Sequence, residues 1–181
     1  WDRIELATCG DDAETRVTSI EPQSALLRPR GFSAPICRED LGHLEWFQWD
    51  TVTTSPRFDP HPGQYTRFGE VLPLVTGIDD RYVVMGSGDA LEVTFDAKGL
   101  PPVPEGWRRD YLLFLDGWAK DRDPNTLEAL EVEPLPFHGM SGYPYGEDES
   151  FPDTEAHRAW REEWQTREGR PLIQPIAPGR R

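Results

Sequence analysis

Residues 81–95, RYVVMGSGDALEVTF, constrain this chain more than any other stretch. Two extended, apolar-rich runs flank Gly86-Ser87-Gly88-Asp89, residue types that tolerate the positive φ of a tight turn. The pattern predicts strand, turn, strand. In the second run Leu91, Val93 and Phe95 alternate with Glu92 and Thr94, which gives one buried and one wet face. DYLLFLDGW, at 110–118, is nearly continuous in apolar residues and predicts a strand central to a sheet.

The other segments read as shorter pieces. WDRIELAT at 1–8 predicts a strand, and RVTSI and SALLRPRGF predict two more around Glu21-Pro22. Residues 33–63 read as an irregular loop held by Trp46, Phe47 and Trp49 and stiffened by Pro56, Pro60 and Pro62. Val71, Leu72, Leu74 and Val75 form an apolar patch, helical or extended, interrupted by Pro73. GLPPVPEGW is a stiff proline linker, and LEALEVEPLPF a weak strand ending in prolines. PDTEAHRAWREEWQTREG predicts a helix capped by Asp153 or Thr154 and ended by Gly169, with Ala156, Trp160 and Trp164 on one stripe. RPLIQPIAPGRR reads as an extended basic tail. The expected fold is mainly β, an antiparallel sandwich-like domain with long aromatic and Pro-rich loops and one C-terminal helix. Residues 1–150 form the β-rich domain and 151–181 the helix and docking tail.

Charge and composition exclude several functions. With 19 basic and 33 acidic residues, the formal charge of −14 repels nucleic-acid phosphates and anionic membrane surfaces. The longest apolar runs, YVVM and YLLFL, fall far short of the roughly 20 residues a membrane helix needs. With 7 Trp, 8 Phe and 5 Tyr the chain can bury a core. Cys9 and Cys37 could form one disulfide or stand as two unrelated thiols. A start at Trp1 rather than Met suggests a processed product or a piece of a longer protein.

Several motifs carry candidate chemistry. In LFLDGWAKDRDPNT, Asp121, Asp123 and Asn125 have a D-x-D-x-N spacing and Asp116 could close the shell of a hard cation such as Ca²⁺. The stretch lacks the Gly and terminal Glu of an EF-hand, and a solvated loop of Asx turns is the competing reading. His138 and Met140 in FHGMSGYPY could ligate haem iron or copper, but they are too close to bind opposite faces of one haem, and packing is favoured. Ser141 fails the nucleophile-elbow pattern because Tyr143 replaces the second glycine. The run Glu147-Asp148-Glu149 reads as a solvated face. Trp107 and Trp118 are expected in the core, whereas Trp46, Trp49, Trp160 and Trp164 are candidates for partner binding or intrachain docking.

The stretches YTRFGEV, DDRYVVMGSGDALEVTFDAKGLPPVPEGWRRDYLLFLDGWAKDRDPNT and EPLPFHGMSGYPYGEDESFPD resemble the C-terminal region of bacterial secreted FG-GAP/VCBS-repeat proteins. The resemblance is to the ASPIC/UnbV and cartilage-acidic-protein-like group, and GWRRDYLLFLDGW and EPLPFHGM are its most specific parts. It implies an exported protein, located in the periplasm, on the cell surface or secreted, and a β-rich module attached to a repeat scaffold. It transfers no catalytic residue, and the calcium loops of FG-GAP repeats lie outside these residues. The expected function is a non-catalytic extracytoplasmic binding or assembly module, docking a protein partner or the remainder of its own polypeptide. One alternative is a hydrolase acting on glycans or another extracellular polymer. Another is a periplasmic accessory subunit of a redox or cytochrome complex.

Overall fold

The computed structural model describes residues 14–37, 45–54, 60–121 and 128–169. The expected strand at 1–8, Cys9, the side chains of Cys37 and Trp46, Asp123, Asn125 and the tail from residue 170 lie outside the described residues. The fold is mainly β and antiparallel, with one α-helix near the C-terminus among the described residues. Strands β1 (Pro22–Pro29), β2 (Phe32–Cys37), β3 (Glu45–Thr53), β4 (Gly63–Tyr65), β5 (Gly69–Glu70), β6 (Asp89–Phe95) and β7 (Arg167–Gly169) form three small sheets among these residues, ordered β5-β1-β6, β2-β3 and β4-β7.

The main sheet follows the alternation in its sequence. β1 pairs antiparallel with β6 in a register that sets Ala25 opposite Val93 and Leu27 opposite Leu91. Ala25 and Leu27 are fully buried together with Val71, whose amide donates to the Ala25 carbonyl at 2.8 Å. The patch around Pro73 is neither a full helix nor a strand but a single 3-10 turn, Leu72–Leu74, whose leucines pack on that core. The turn before β6 forms as expected. The Asp89 amide donates to the Gly86 carbonyl at 3.0 Å, and Gly88 adopts a positive φ of 86°.

Four expectations are corrected. YVVM makes no ladder with β6, which pairs with β1 instead. Its Val84 instead exchanges hydrogen bonds with Thr66, the Thr66 hydroxyl accepting at 2.8 Å where a ladder carbonyl would stand. Residues 33–63 are not irregular throughout. FSAPIC and EWFQWDTVT are rich in aromatic and β-branched residues and pair as β2 and β3. Pro35 is tolerated there because a two-stranded sheet is all edge. Neither RVTSI nor LEALEVEPLPF forms a strand among the described residues.

The fourth correction is DYLLFLDGW. It forms no strand and, among the described residues, no backbone hydrogen bond reaches 111–115. A strand that is apolar on both faces needs cover on both faces. The three sheets described here include no strand from 110–118.

Helix α1, Glu155–Trp164, ends five residues before Gly169. Thr154 is its N-cap, accepting from the His157 amide. The helix stops because Gln165 turns inward. Its side-chain carbonyl accepts from the Thr66 hydroxyl at 3.1 Å, and its amide donates to the Tyr82 carbonyl at 3.2 Å. The chain then runs into β7, which pairs with β4. Gly63 in β4 needs its glycine twice over, for a φ of +138° and because a Cβ there would meet Val132 at 2.5 Å.

Candidate functional site

The two most distinctive stretches of the sequence dock on each other. GWRRDYLLFLDGW ends at Trp118, whose ring lies 5.1 Å from that of Tyr143, three residues past the end of EPLPFHGM. Two residues later Lys120 donates from Nζ to three carbonyls, of Glu131 at 3.0 Å, Val132 at 2.8 Å and Pro134 at 3.0 Å. All three ammonium protons thus have acceptors. Burial nevertheless pushes its pKa below the ordinary lysine value. The Tyr143 hydroxyl donates to the same Pro134 carbonyl at 2.8 Å, and burial pushes its pKa up to about 12.

At the centre of this junction His138 lies between two carboxylates. Its Nδ1 is 2.6 Å from Asp80 Oδ1 and its Nε2 is 2.9 Å from Asp116 Oδ2. The same Asp80 oxygen accepts from the His138 backbone amide at 2.9 Å and from the Tyr82 hydroxyl at 2.8 Å. Asp80 holds a φ of 60°, a left-handed conformation that Asp tolerates better than most residues. The Asp80 bond raises the His138 pKa first and Asp116 adds to it. Burial alone would raise the pKa of Asp80, but the hydrogen bonds from His138 and Tyr82 outweigh it and leave the net shift downward. Burial first, and then the neighbouring Asp80, raises the Tyr82 pKa.

This arrangement orients and clamps. Both imidazole nitrogens face carboxylates, so His138 joins three chain segments through one ring. The Ser141 hydroxyl donates to Glu149 at 2.7 Å, so that part of the acidic run caps a turn. A cleft of about 350 Å³ has Leu135, Tyr145, Phe151 and Trp160 in its walls and Glu133 and Arg161 as its charged groups.

Of the four residues the sequence grouped for calcium, only Asp116 and Asp121 are among the described residues. The Asp116 carboxylate is engaged with His138, Asp121 is exposed, and Asp123 and Asn125 lie outside the described residues. Among the described residues no group of three or more His, Cys, Asp or Glu side chains could hold a metal ion. The tryptophans divide. Trp160 is 3% exposed, stacks on Phe151 and donates its indole N–H to the Tyr82 carbonyl, so it serves intrachain packing. Trp164 is half-buried against the core, with the Arg67 guanidinium 4.2 Å from its ring. Trp49 stays exposed. Between Ser33 and Ala34 the partner in β3 jumps from Val52 to Gln48, and residues 49–51 stand out of register. Arg30 covers one face of the Trp49 ring at 3.6 Å. Trp118, expected in the core, is exposed at the junction, whereas Trp107 is half-buried.

Sequence reasoning missed Asp80, Tyr82 and Lys120. The Asp79-Asp80 pair before an apolar run was a visible signal, but its partner lies 58 positions away. No family model, curated protein or solved structure matches the chain. No helix among the described residues is long and apolar enough to cross a membrane.

Proposed function

We propose that this chain is a non-catalytic binding or assembly module that presents residues 111–115 to another polypeptide. One observation carries the reading: Tyr111, Leu112, Leu113, Phe114 and Leu115 are 65–99% exposed in unbroken succession. Scattered exposed apolar residues are ordinary, but a contiguous strip whose backbone makes no hydrogen bond among the described residues marks a docking element. Extended segments of this kind bind by adding a strand to a sheet edge, where main-chain hydrogen bonds supply affinity. The strip is also held at its C-terminal end, since Asp116 is tied to His138 and Lys120 to the 131–134 backbone. A tethered strand loses less conformational freedom on binding than a loose loop. The resemblance to secreted repeat proteins supports an extracytoplasmic setting for this docking.

The test is retention on an array of immobilised nine-residue strand peptides, comparing the wild type with Leu113→Pro. Proline removes a ladder donor at a position that makes no backbone hydrogen bond among the described residues. Peptides that retain the wild type and lose at least about tenfold with the variant support the reading. An array that retains neither protein, or both equally, overturns it.

A further inference from the structure

The five exposed residues are bracketed by Asp110 and Asp116, and those two carboxylates restrict what can lie alongside the strip. Asp110 pairs with Arg108 at 2.8 Å in an exposed bridge, and Asp116 gives Oδ2 to His138. Exposed bridges of the first kind are worth little and open readily to a better partner.

A second copy of the chain is a poor occupant. The antiparallel register that sets all five apolar residues against apolar ones pairs 111 with 115, 112 with 114, and Leu113 with itself. It also places Asp110 directly opposite Asp116, at both ends. A parallel in-register pairing sets each Asp against its own copy. Like charges directly opposite across a strand pair are destabilising, and two copies at −14 each add longer-range repulsion.

We infer that residues 111–115 are a donated strand whose partner is an apolar strand of another polypeptide carrying Lys or Arg at both ends, opposite Asp110 and Asp116. This rests on the docking function proposed above and specifies the partner. An acidic or neutral strand could form the same backbone bonds but would offer the two carboxylates nothing beyond the Arg108 and His138 partners they already hold.

The peptide array separates this inference from the reading beneath it. The probes carry a Val-Thr-Val-Thr-Val centre with lysine, serine or aspartate immediately on each side and a terminal serine beyond. Retention of the lysine set about tenfold above the aspartate set, with serine between, is expected, because two cross-strand charge pairs change sign. The preference should shrink in high salt and fall at one end in Asp110→Lys. Equal retention of the three sets, lost with Leu113→Pro, overturns the basic-partner inference and leaves the docking function standing. No retention of any set overturns both. A dimer seen by sedimentation in the wild type and absent in Leu113→Pro makes a second copy the occupant and likewise overturns the inference.

Discussion

At His138 one imidazole spans two carboxylates, and the sign of its contribution to stability follows from both sides of the bond. Its folded pKa lies above the ordinary value of about 6.5, so its stabilisation is complete below that value and is lost as pH rises through the raised folded pKa. Asp80 behaves in reverse. Its folded pKa is depressed, so its contribution is present above about 3.9 and is lost as pH falls through the depressed value. The clamp is therefore strongest between about pH 4 and pH 6.5. The histidine is 46% exposed, which limits the pair to less than about 1 kcal/mol. Thermal unfolding from pH 5 to pH 9 should show the wild type losing its advantage over His138→Gln as pH rises, and parallel curves would refute the linkage. Tyr82 is the stiffer part of the same cluster. Its single hydroxyl proton faces two acceptors, Asp80 at 2.8 Å and the Pro136 carbonyl at 2.7 Å. Tyr82→Phe should cost about 1–2 kcal/mol in denaturant unfolding at neutral pH, since it strips a partner from a mostly buried carboxylate.

Among the elements, the strip at 111–115 and helix α1 make opposite predictions. Amides in the strip have no backbone acceptor among the described residues, so hydrogen exchange there should be complete within seconds in the free chain. Protection in the absence of any partner would mean that the strip is paired within the chain. Trp160 sits at the other extreme. Trp160→Ala should cost about 3–5 kcal/mol and release α1 from Tyr82, read as a fall in the denaturant midpoint. The contrast shows how much the sequence could convey. β6 was legible because alternation is a local signal, and the cap at Thr154 because capping needs only neighbours. The GSGD turn was legible too, but the partner of β6 was not. A Thr66 hydroxyl, 18 positions away from Val84, took the role a second strand was expected to play. DYLLFLDGW misled for a related reason. Continuous apolarity reports that a segment is suited to burial and is silent on which chain supplies the cover. The clamp was half legible: His138 and Asp116 were singled out, each for different chemistry, and only the fold brings them together.

At the scale of the whole molecule, long-range closure is concentrated in Arg167. It lies in β7, the last described strand, and its Nη2 is 2.5 Å from Asp89 Oδ2 at the start of β6. Its Nε donates to the Thr66 carbonyl at 3.0 Å, and its guanidinium lies 4.1 Å from the Phe68 ring and 5.1 Å from that of Tyr65. One side chain thus fastens the C-terminal strand to the main sheet and to the segment that carries β4. Asp89 is only 7% exposed, so removing the arginine leaves a buried carboxylate whose remaining bond shown here is from the Gly86 amide. Arg167→Met should therefore cost about 3 kcal/mol, much of it the penalty of that stranded charge rather than the worth of the pair. Asp89→Asn in the same background removes the charge while keeping an acceptor for Gly86. The double variant should recover a third or more of the loss, so the two changes together are less harmful than their sum. Denaturant unfolding of the wild type, both single variants and the double variant measures that coupling directly. Strict additivity would mean that the pair does not hold the C-terminal strand, and that Arg167 acts there through its bond to the Thr66 carbonyl and its contacts with Tyr65 and Phe68.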